Sequence, residues 1–145
     1  MIKILLLNGP NLNLLGTREP QVYGTDTLAL IEEETMNYGK KRGVVVECFQ
    51  SNHEGELIDK LHEARGIYAG IVYNPAAHTH YSIALRDAIA SIGIPTVEVH
   101  LSDIENREEF RRVSVMADVC IAQIKGKGKA GYLEAIDVLL DTQNC

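Results

Sequence analysis

The sequence predicts an α/β fold, a three-layer sandwich in which one five-stranded parallel sheet lies between helices. Two observations predict it. Short, continuous apolar runs alternate with helical segments along the whole chain, and glycines stand where three of those helical segments stop. A βαβ alternation with short connections implies right-handed crossovers and helices on both faces, and for five strands a flavodoxin-like order, 2-1-3-4-5. No linker, repeat or low-complexity stretch interrupts the pattern, so residues 1–145 read as a single domain. A chain of this length hides roughly two thirds of the surface its unfolded form exposes.

The first strand is Ile4-Leu5-Leu6-Leu7, apolar on both faces and closed by the turn residues Asn8-Gly9-Pro10-Asn11. Residues 44–46, 69–73, 96–99 and 119–124 repeat that pattern. Between them, helices are expected over 27–41, 54–65, 81–91 and 130–141, with a short one over 105–111. Asp26 or Thr25 is placed to cap the first, Asn52 or His53 the second, and Ser102 or Asp103 the short one. Gly43, Gly66 and Gly93 follow the first three, where a left-handed residue suits glycine.

Composition narrows the function. The net charge is −6, and the only basic groupings are Lys40-Lys41-Arg42 and the spaced Lys125, Lys127 and Lys129, which argues against nucleic acid as a partner. Cys48, Cys120 and Cys145 are odd in number and far apart, which suggests neither a disulfide framework nor a zinc site and fits a reducing compartment. Lys3 before one short apolar run is too little for a signal peptide or a membrane span, so a cytoplasmic location with no membrane partner is expected.

In this topology a ligand binds beyond the carboxyl ends of the strands, beside the point where the order reverses. The turns to search follow strands one, three and four: 8–24, 74–80 and 100–111. The first is long for a βα connection and carries Asn11, Asn13, Arg18, Glu19 and Tyr23 between glycines and prolines, as a lid would. A free tyrosine with a pKa of about 10 is only about one part in a thousand phenolate at neutrality. An adjacent guanidinium such as Arg18 lowers that pKa by roughly one to three units, which would make Tyr23 a usable base. The alternative is a solvated insertion.

The second turn, Asn74-Pro75-Ala76-Ala77-His78-Thr79-His80, leads into a helix whose first N–H groups favour an anion or a developing oxyanion. His78 and His80 lack a third ligand at a recognised spacing, so no metal site is expected. His80 suits a polar contact to substrate, or a capping role. In the third turn Glu98 and His100 lie two apart on a strand and share a face. A carboxylate so placed orients an imidazole and favours its charged form, which suits a general acid, or else a buried ion pair. Arg107 and Arg111, four apart, present two guanidinium groups to one side.

Gly126-Lys127-Gly128-Lys129-Ala130-Gly131 matches a dinucleotide fingerprint, but it follows the last strand, with no second strand and no ribose-binding acid beyond it. A tight turn with solvated lysines is the better reading. The turn after strand one also lacks the phosphate loop of a flavin protein and the acidic residues of a receiver domain.

Taken together, Asn8-Gly9-Pro10-Asn11-Leu12-Asn13, Arg18-Glu19-Pro20 with Tyr23-Gly24, Gln50-Ser51-Asn52-His53-Glu54-Gly55, Asn74-Pro75-Ala76-Ala77-His78-Thr79-His80 and Glu98-Val99-His100-Leu101-Ser102 resemble the type II 3-dehydroquinate dehydratases. Arg107-Glu108-Glu109-Phe110-Arg111 and Gly131-Tyr132 extend the likeness over the whole chain. The resemblance implies reversible dehydration of 3-dehydroquinate to 3-dehydroshikimate through an enolate, in the shikimate or quinate pathway, with no cofactor, metal or Schiff base. By that analogy Tyr23 is the base, activated by Arg18 and assisted by Arg107. His100, oriented by Glu98 and Asn74, is the acid, and Asn11 holds a water against the enolate oxygen. Asn74, the amides of Leu101 and Ser102 and the Ser102 hydroxyl bind the carboxylate, while His80 and Arg111 hold ring hydroxyls. Asp87 reaches in from a neighbouring subunit of a homo-oligomer, a dodecamer of four trimers. Asp103 stands where the family usually has Asn, and residues 113–118 and 125–129 also depart from the family pattern.

Overall fold

A computed structural model describes residues 1–17, 26–103 and 108–143. The strands β1 (Lys3–Asn8), β2 (Val45–Gln50), β3 (Gly70–Asn74), β4 (Thr96–His100) and β5 (Ala122–Lys125) form one parallel sheet in the order β2-β1-β3-β4-β5. Four α-helices are described: α1 (Leu28–Lys41), α2 (Glu54–Glu63), α3 (Ile83–Ile92) and α4 (Ala130–Gln143). The expected α/β class and strand order are both present.

The unbroken apolar run of β1 has a direct cause. Successive side chains of a strand point to opposite faces, and both faces of this central strand are covered. Ile4 and Leu6 face α1 and α4, meeting Leu28, Ile31, Ile136 and Leu139. Leu5 and Leu7 face α2 and α3, meeting Leu57, Leu61, Leu85 and Ile89. All four strand side chains are at most 1% exposed, and each such burial stabilises by about 1.5–3 kcal/mol. Gly43, Gly66 and Gly93 take the expected left-handed conformation behind α1, α2 and α3.

Several boundaries differ from the sequence reading. β2 runs on to Gln50 because it is an edge strand, half-exposed along most of its length, where apolar residues are not demanded at every position. β5 begins at Ala122: the apolar residues before it belong partly to a 3-10 turn, Ala117–Val119, in which Val119 packs on the core without pairing. Thr27 caps α1, its hydroxyl accepting from the Leu30 N–H at 3.2 Å, in place of Asp26 or Thr25. A 3-10 turn, Ala76–His80, precedes α3, which starts at Ile83 under a Ser82 cap. Of the short helix expected over 105–111, Glu109–Arg111 is a 3-10 turn, and 105–107 lie outside the described residues. Among the described residues no helix is long and apolar enough to cross a membrane.

Candidate active site

The carboxyl ends of β1, β3 and β4 lie side by side, with Asn8 opposite Asn74 and Tyr73 opposite Glu98. Asn8, Asn74, Glu98 and His100 are buried polar residues at or next to these ends. The switch in strand order falls between β1 and β3, so this is where a crevice is expected.

Glu98 and His100 meet as their spacing on β4 predicts, the His100 Nε2–H donating to Glu98 Oε2 at 2.5 Å. The carboxylate has further donors. Thr79 Oγ1 donates to Oε2 at 2.5 Å, Ser114 Oγ lies 3.0 and 2.8 Å from the two oxygens, and Gln123 Nε2 reaches Oε1 at 3.3 Å. Ser114 Oγ already accepts from the Met116 and Ala117 N–H groups, so its own hydrogen is left for Glu98 or for the Thr79 hydroxyl 2.8 Å away, which itself donates to Glu98. Burial by itself pushes the Glu98 carboxyl up, but the bonds from His100, Thr79 and Ser114 outweigh it and hold the group below its ordinary range. Glu98 is therefore a buried anion, and the imidazole nitrogen facing it is a donor.

The turn after β3 is shaped by two close fits. Gly9 donates its N–H to the Asn74 carbonyl at 2.8 Å, and a Cβ at Gly9 would lie 2.6 Å from the Pro75 oxygen, so only glycine lets the two turns touch. Ala76 sits at φ 53°, unusual for a residue with a side chain, and its N–H donates to Asn74 Oδ1 at 3.0 Å. Asn74 Nδ2 donates to the Tyr132 hydroxyl at 2.9 Å, which donates in turn to Asn8 Oδ1 at 2.7 Å. His80 Nδ1–H donates to the Val113 carbonyl at 2.7 Å, fixing the tautomer at that nitrogen. His78 is buried edge-on to Tyr81, burial lowering its pKa against the opposing field of Glu54. Among the described residues no group of three or more His, Cys, Asp or Glu side chains is disposed to hold a metal ion.

On the flanks, Asn11 is exposed at φ 70°, opens the 3-10 turn Leu12–Leu14, and donates its N–H to Asn52 Oδ1 at 2.9 Å. Gln50 Nε2 bonds both the Gly9 carbonyl and Asn52 Oδ1 at 3.1 Å, so the Gln50-Ser51-Asn52 segment braces the start of the long turn. Leu101 and Ser102 are half-exposed, and the Leu101 carbonyl accepts from the Gly128 N–H at 3.0 Å. The glycine motif after β5 is thus a tight turn, with Gly126 and Gly128 at positive φ, that holds the loop after β4. Arg111 pairs with Glu108 at 2.6 Å and lies over the Phe110 ring. Asp87 is exposed on α3 and joins none of the hydrogen bonds just described. Arg18, Tyr23 and Arg107 lie outside the described residues.

Asn74, Glu98 and His100, singled out from the sequence, lie together at the ends of β3 and β4, whereas Thr79, Ser114, Gln123, Asn8 and Tyr132 have no role assigned from it. Tyr132 carried a signal, as part of the Gly131-Tyr132 pair. Asn8 and Thr79 likewise lie inside the family-like motifs, while Ser114 and Gln123 stand outside them with no spacing that announces them.

Comparison with known proteins identifies the family of the chain. Residues 2–140 match the family described as dehydroquinase class II. The chain is 59% identical over 141 residues to a 3-dehydroquinate dehydratase of Bacillus cytotoxicus, covering 97% of each chain. It is 57% identical over 139 residues to a 3-dehydroquinate dehydratase of Ruegeria pomeroyi, covering 96% of this chain and 93% of that one. The crystal structure of a type II dehydroquinase from Butyrivibrio crossotus is similar with a TM-score of 0.94 at 50% identity, covering 96% of this chain and 97% of that one.

Proposed function

The chain belongs to the dehydroquinase class II family, and from that premise we propose that it catalyses the reversible dehydration of 3-dehydroquinate to 3-dehydroshikimate, in the shikimate route to aromatic amino acids or in the quinate pathway. The observation that carries the mechanism is the buried His100–Glu98 pair at the end of β4. Elimination of water beside a ketone needs a base for a carbon-bound hydrogen, charge stabilisation for the enolate and an acid for the departing hydroxyl.

In this reading Tyr23, ionised beside Arg18 with Arg107 assisting, removes the C2 hydrogen as a proton. The electron pair of that C–H bond flows into the ketone to give the enolate, whose oxygen meets a water held by Asn11. As the enolate reverts to the ketone, the C1–O bond breaks and the hydroxyl takes a proton from His100, leaving as water and a conjugated enone. Glu98 supports the acid role through geometry. Because the ionised carboxylate accepts the Nε2–H, Nδ1 is the nitrogen through which the proton passes. The carboxylate of the substrate is assigned to Asn74, the Leu101 and Ser102 amides and the Ser102 hydroxyl. Its ring hydroxyls fall to His80 and Arg111, the His80 ring being steadied by its bond to Val113.

Asp87, exposed on α3, is assigned to the site of a neighbouring subunit in a dodecamer of four trimers. The whole chain acts as one catalytic domain in the cytoplasm, on a small-molecule substrate, with no nucleic acid or membrane partner and no cofactor in any step. The test is a continuous ultraviolet assay with 3-dehydroquinate, with and without EDTA, following the enone. Wild type is expected to turn over equally in both, and Tyr23→Phe to bind substrate while losing nearly all turnover. Absence of an enone signal from the wild type refutes the reaction, and wild-type turnover by Tyr23→Phe refutes the base.

A further inference from the structure

We infer that Tyr132 is a positioning residue for the substrate carboxylate, acting through Asn74 by fixing which way the Asn74 amide points. The inference rests on the reading above in taking Asn74 as a carboxylate ligand, and it adds a residue for which neither motif nor spacing gave a role.

Donors and acceptors around the amide fix its direction. The Ala76 N–H can only donate, so the Asn74 atom 3.0 Å from it is the oxygen. The Asn74 atom facing Tyr132 is then the NH2 group, which can only donate, so the hydroxyl oxygen accepts at 2.9 Å. The hydroxyl hydrogen must go elsewhere, and it goes to Asn8 Oδ1 at 2.7 Å. One consequence is visible in the core: the Asn8 Nδ2 group is turned away and has no hydrogen-bond partner among the described residues. The other is at the site. With one amide hydrogen held by Tyr132, Asn74 keeps one N–H in a set direction, and an N–H is what a carboxylate oxygen requires.

The polarity is over-determined because the three residues come from three elements. Asn8 and Asn74 end the adjacent strands β1 and β3, opposite one another in register. Tyr132 reaches them from the first turn of α4, and it is 0% exposed. Gly131 permits the approach, since a Cβ there would lie 3.2 Å from Ile124 Cγ2 and 3.4 Å from Val99 Cγ1. The last glycine of the apparent dinucleotide motif therefore brings a tyrosine, not a pyrophosphate, to the strand ends. Burial also pushes the Tyr132 phenol well above its ordinary range, so it stays a neutral hydroxyl that both accepts and donates.

The test is a double-mutant cycle on the intact enzyme, with 3-dehydroquinate as the probe. Tyr132→Phe keeps the ring and removes the hydroxyl. It is expected to raise KM by about three- to tenfold, as loss of one aligned hydrogen bond would, with kcat within about threefold of wild type. Asn74→Ala raises KM as well, and the double variant is expected to match Asn74→Ala alone, because the hydroxyl acts only through that amide. An unchanged KM in Tyr132→Phe, or additive effects in the double variant, overturns the inference. A merely structural tyrosine would lower Tm without making the KM effects non-additive. Should Tyr132→Phe yield no folded protein, Asn8→Ala leaves the ring in place and removes the acceptor of its hydrogen, and the same non-additivity with Asn74→Ala is expected. A wild type inactive on 3-dehydroquinate sinks the proposed reaction, whereas an active wild type with unaltered KM in these variants sinks the positioning role alone.

Discussion

Two carboxylates of this molecule gather similar partners in opposite surroundings. Glu98 takes hydrogen bonds from His100, Thr79, Ser114 and Gln123, with its side chain 1% exposed at the floor of the site. Asp137, on α4, takes bonds from the Tyr38 hydroxyl at 2.7 and 2.9 Å and from Arg42 of the adjoining α1 segment, with its side chain 39% exposed. Water can replace any partner that Asp137 loses. The Glu98 side chain is almost closed to solvent, so its donors are supplied by the fold, and when one is lost the remaining three carry the charge without replacement by bulk water. The same contact pattern thus lies buried at the strand ends in one place and at an exposed surface in the other.

The sharpest way to break this contrast is to remove the imidazole that Glu98 is proposed to orient. His100→Ala is expected to lower kcat by about two to four orders of magnitude, the usual worth of a general acid. Three donors to Glu98 remain, so the variant should still fold. A kcat within tenfold of wild type would make the pair structural and bring Glu98 closer to Asp137 in kind.

Glu98→Gln comes next. It keeps the shape but turns an acceptor-only group into one with two hydrogens of its own, which must face donors already aimed there. Expected are a fall in kcat of about one to two orders of magnitude and a loss of about 1.5–3 kcal/mol of stability, the worth of hydrogen bonds to a charged group. The pH dependence has a definite sign. The folded carboxyl titrates below its ordinary value of 4.5, so its stabilising contribution is present above that value and fades as the pH falls through the folded pKa. Wild type should therefore lead the variant in Tm most clearly above 4.5 and lose that lead on acidification. A lead that grows toward acid would mean Glu98 is not held as an anion.

Thr79→Val removes a single donor while preserving the branched shape of a residue that is 0% exposed. A destabilisation of about 1–2 kcal/mol is expected, with a smaller effect on kcat than Glu98→Gln, since Ser114, Gln123 and His100 still hold the carboxylate. An effect on kcat as large as that of Glu98→Gln would mean that Thr79 also sets the Ser114 hydroxyl, 2.8 Å from its own, or acts beyond this carboxylate.

These variants also mark how far the sequence was legible. The fold was written in β1, because a strand buried on both faces must be apolar at every position, and in Gly43, Gly66 and Gly93, because left-handed helix ends select glycine. The Glu98–His100 pair was legible because two residues on a strand share a face whatever the rest of the chain does. Thr79 and Ser114 were not, since they reach Glu98 across 19 and 16 residues through tertiary folding that leaves no periodic trace. Nor was the start of β5, because an apolar residue packs equally well from the 3-10 turn holding Val119 as from a paired strand. The roles expected of Arg18 and Tyr23, which lie outside the described residues, came from resemblance and from the chemistry of a phenol beside a guanidinium, not from any regularity in the chain.

The smallest expected effect completes the contrast at the surface. In Asp137→Asn the Tyr38 hydroxyl keeps an acceptor in the new amide oxygen, and only the ion pair with Arg42 is lost, in a place where water solvates the guanidinium. Tm should move by no more than about 1–2 °C, and kcat and KM should stay at wild-type values. Because the lost attraction is one that salt screens, the small gap between wild type and variant should narrow further at about 1 M salt, where the Debye length falls to about 3 Å. A drop in Tm matching that of Glu98→Gln would show that the Tyr38–Asp137–Arg42 group clamps α1 to α4 as a buried network would. Exposure would then no longer be the property that separates the two carboxylates.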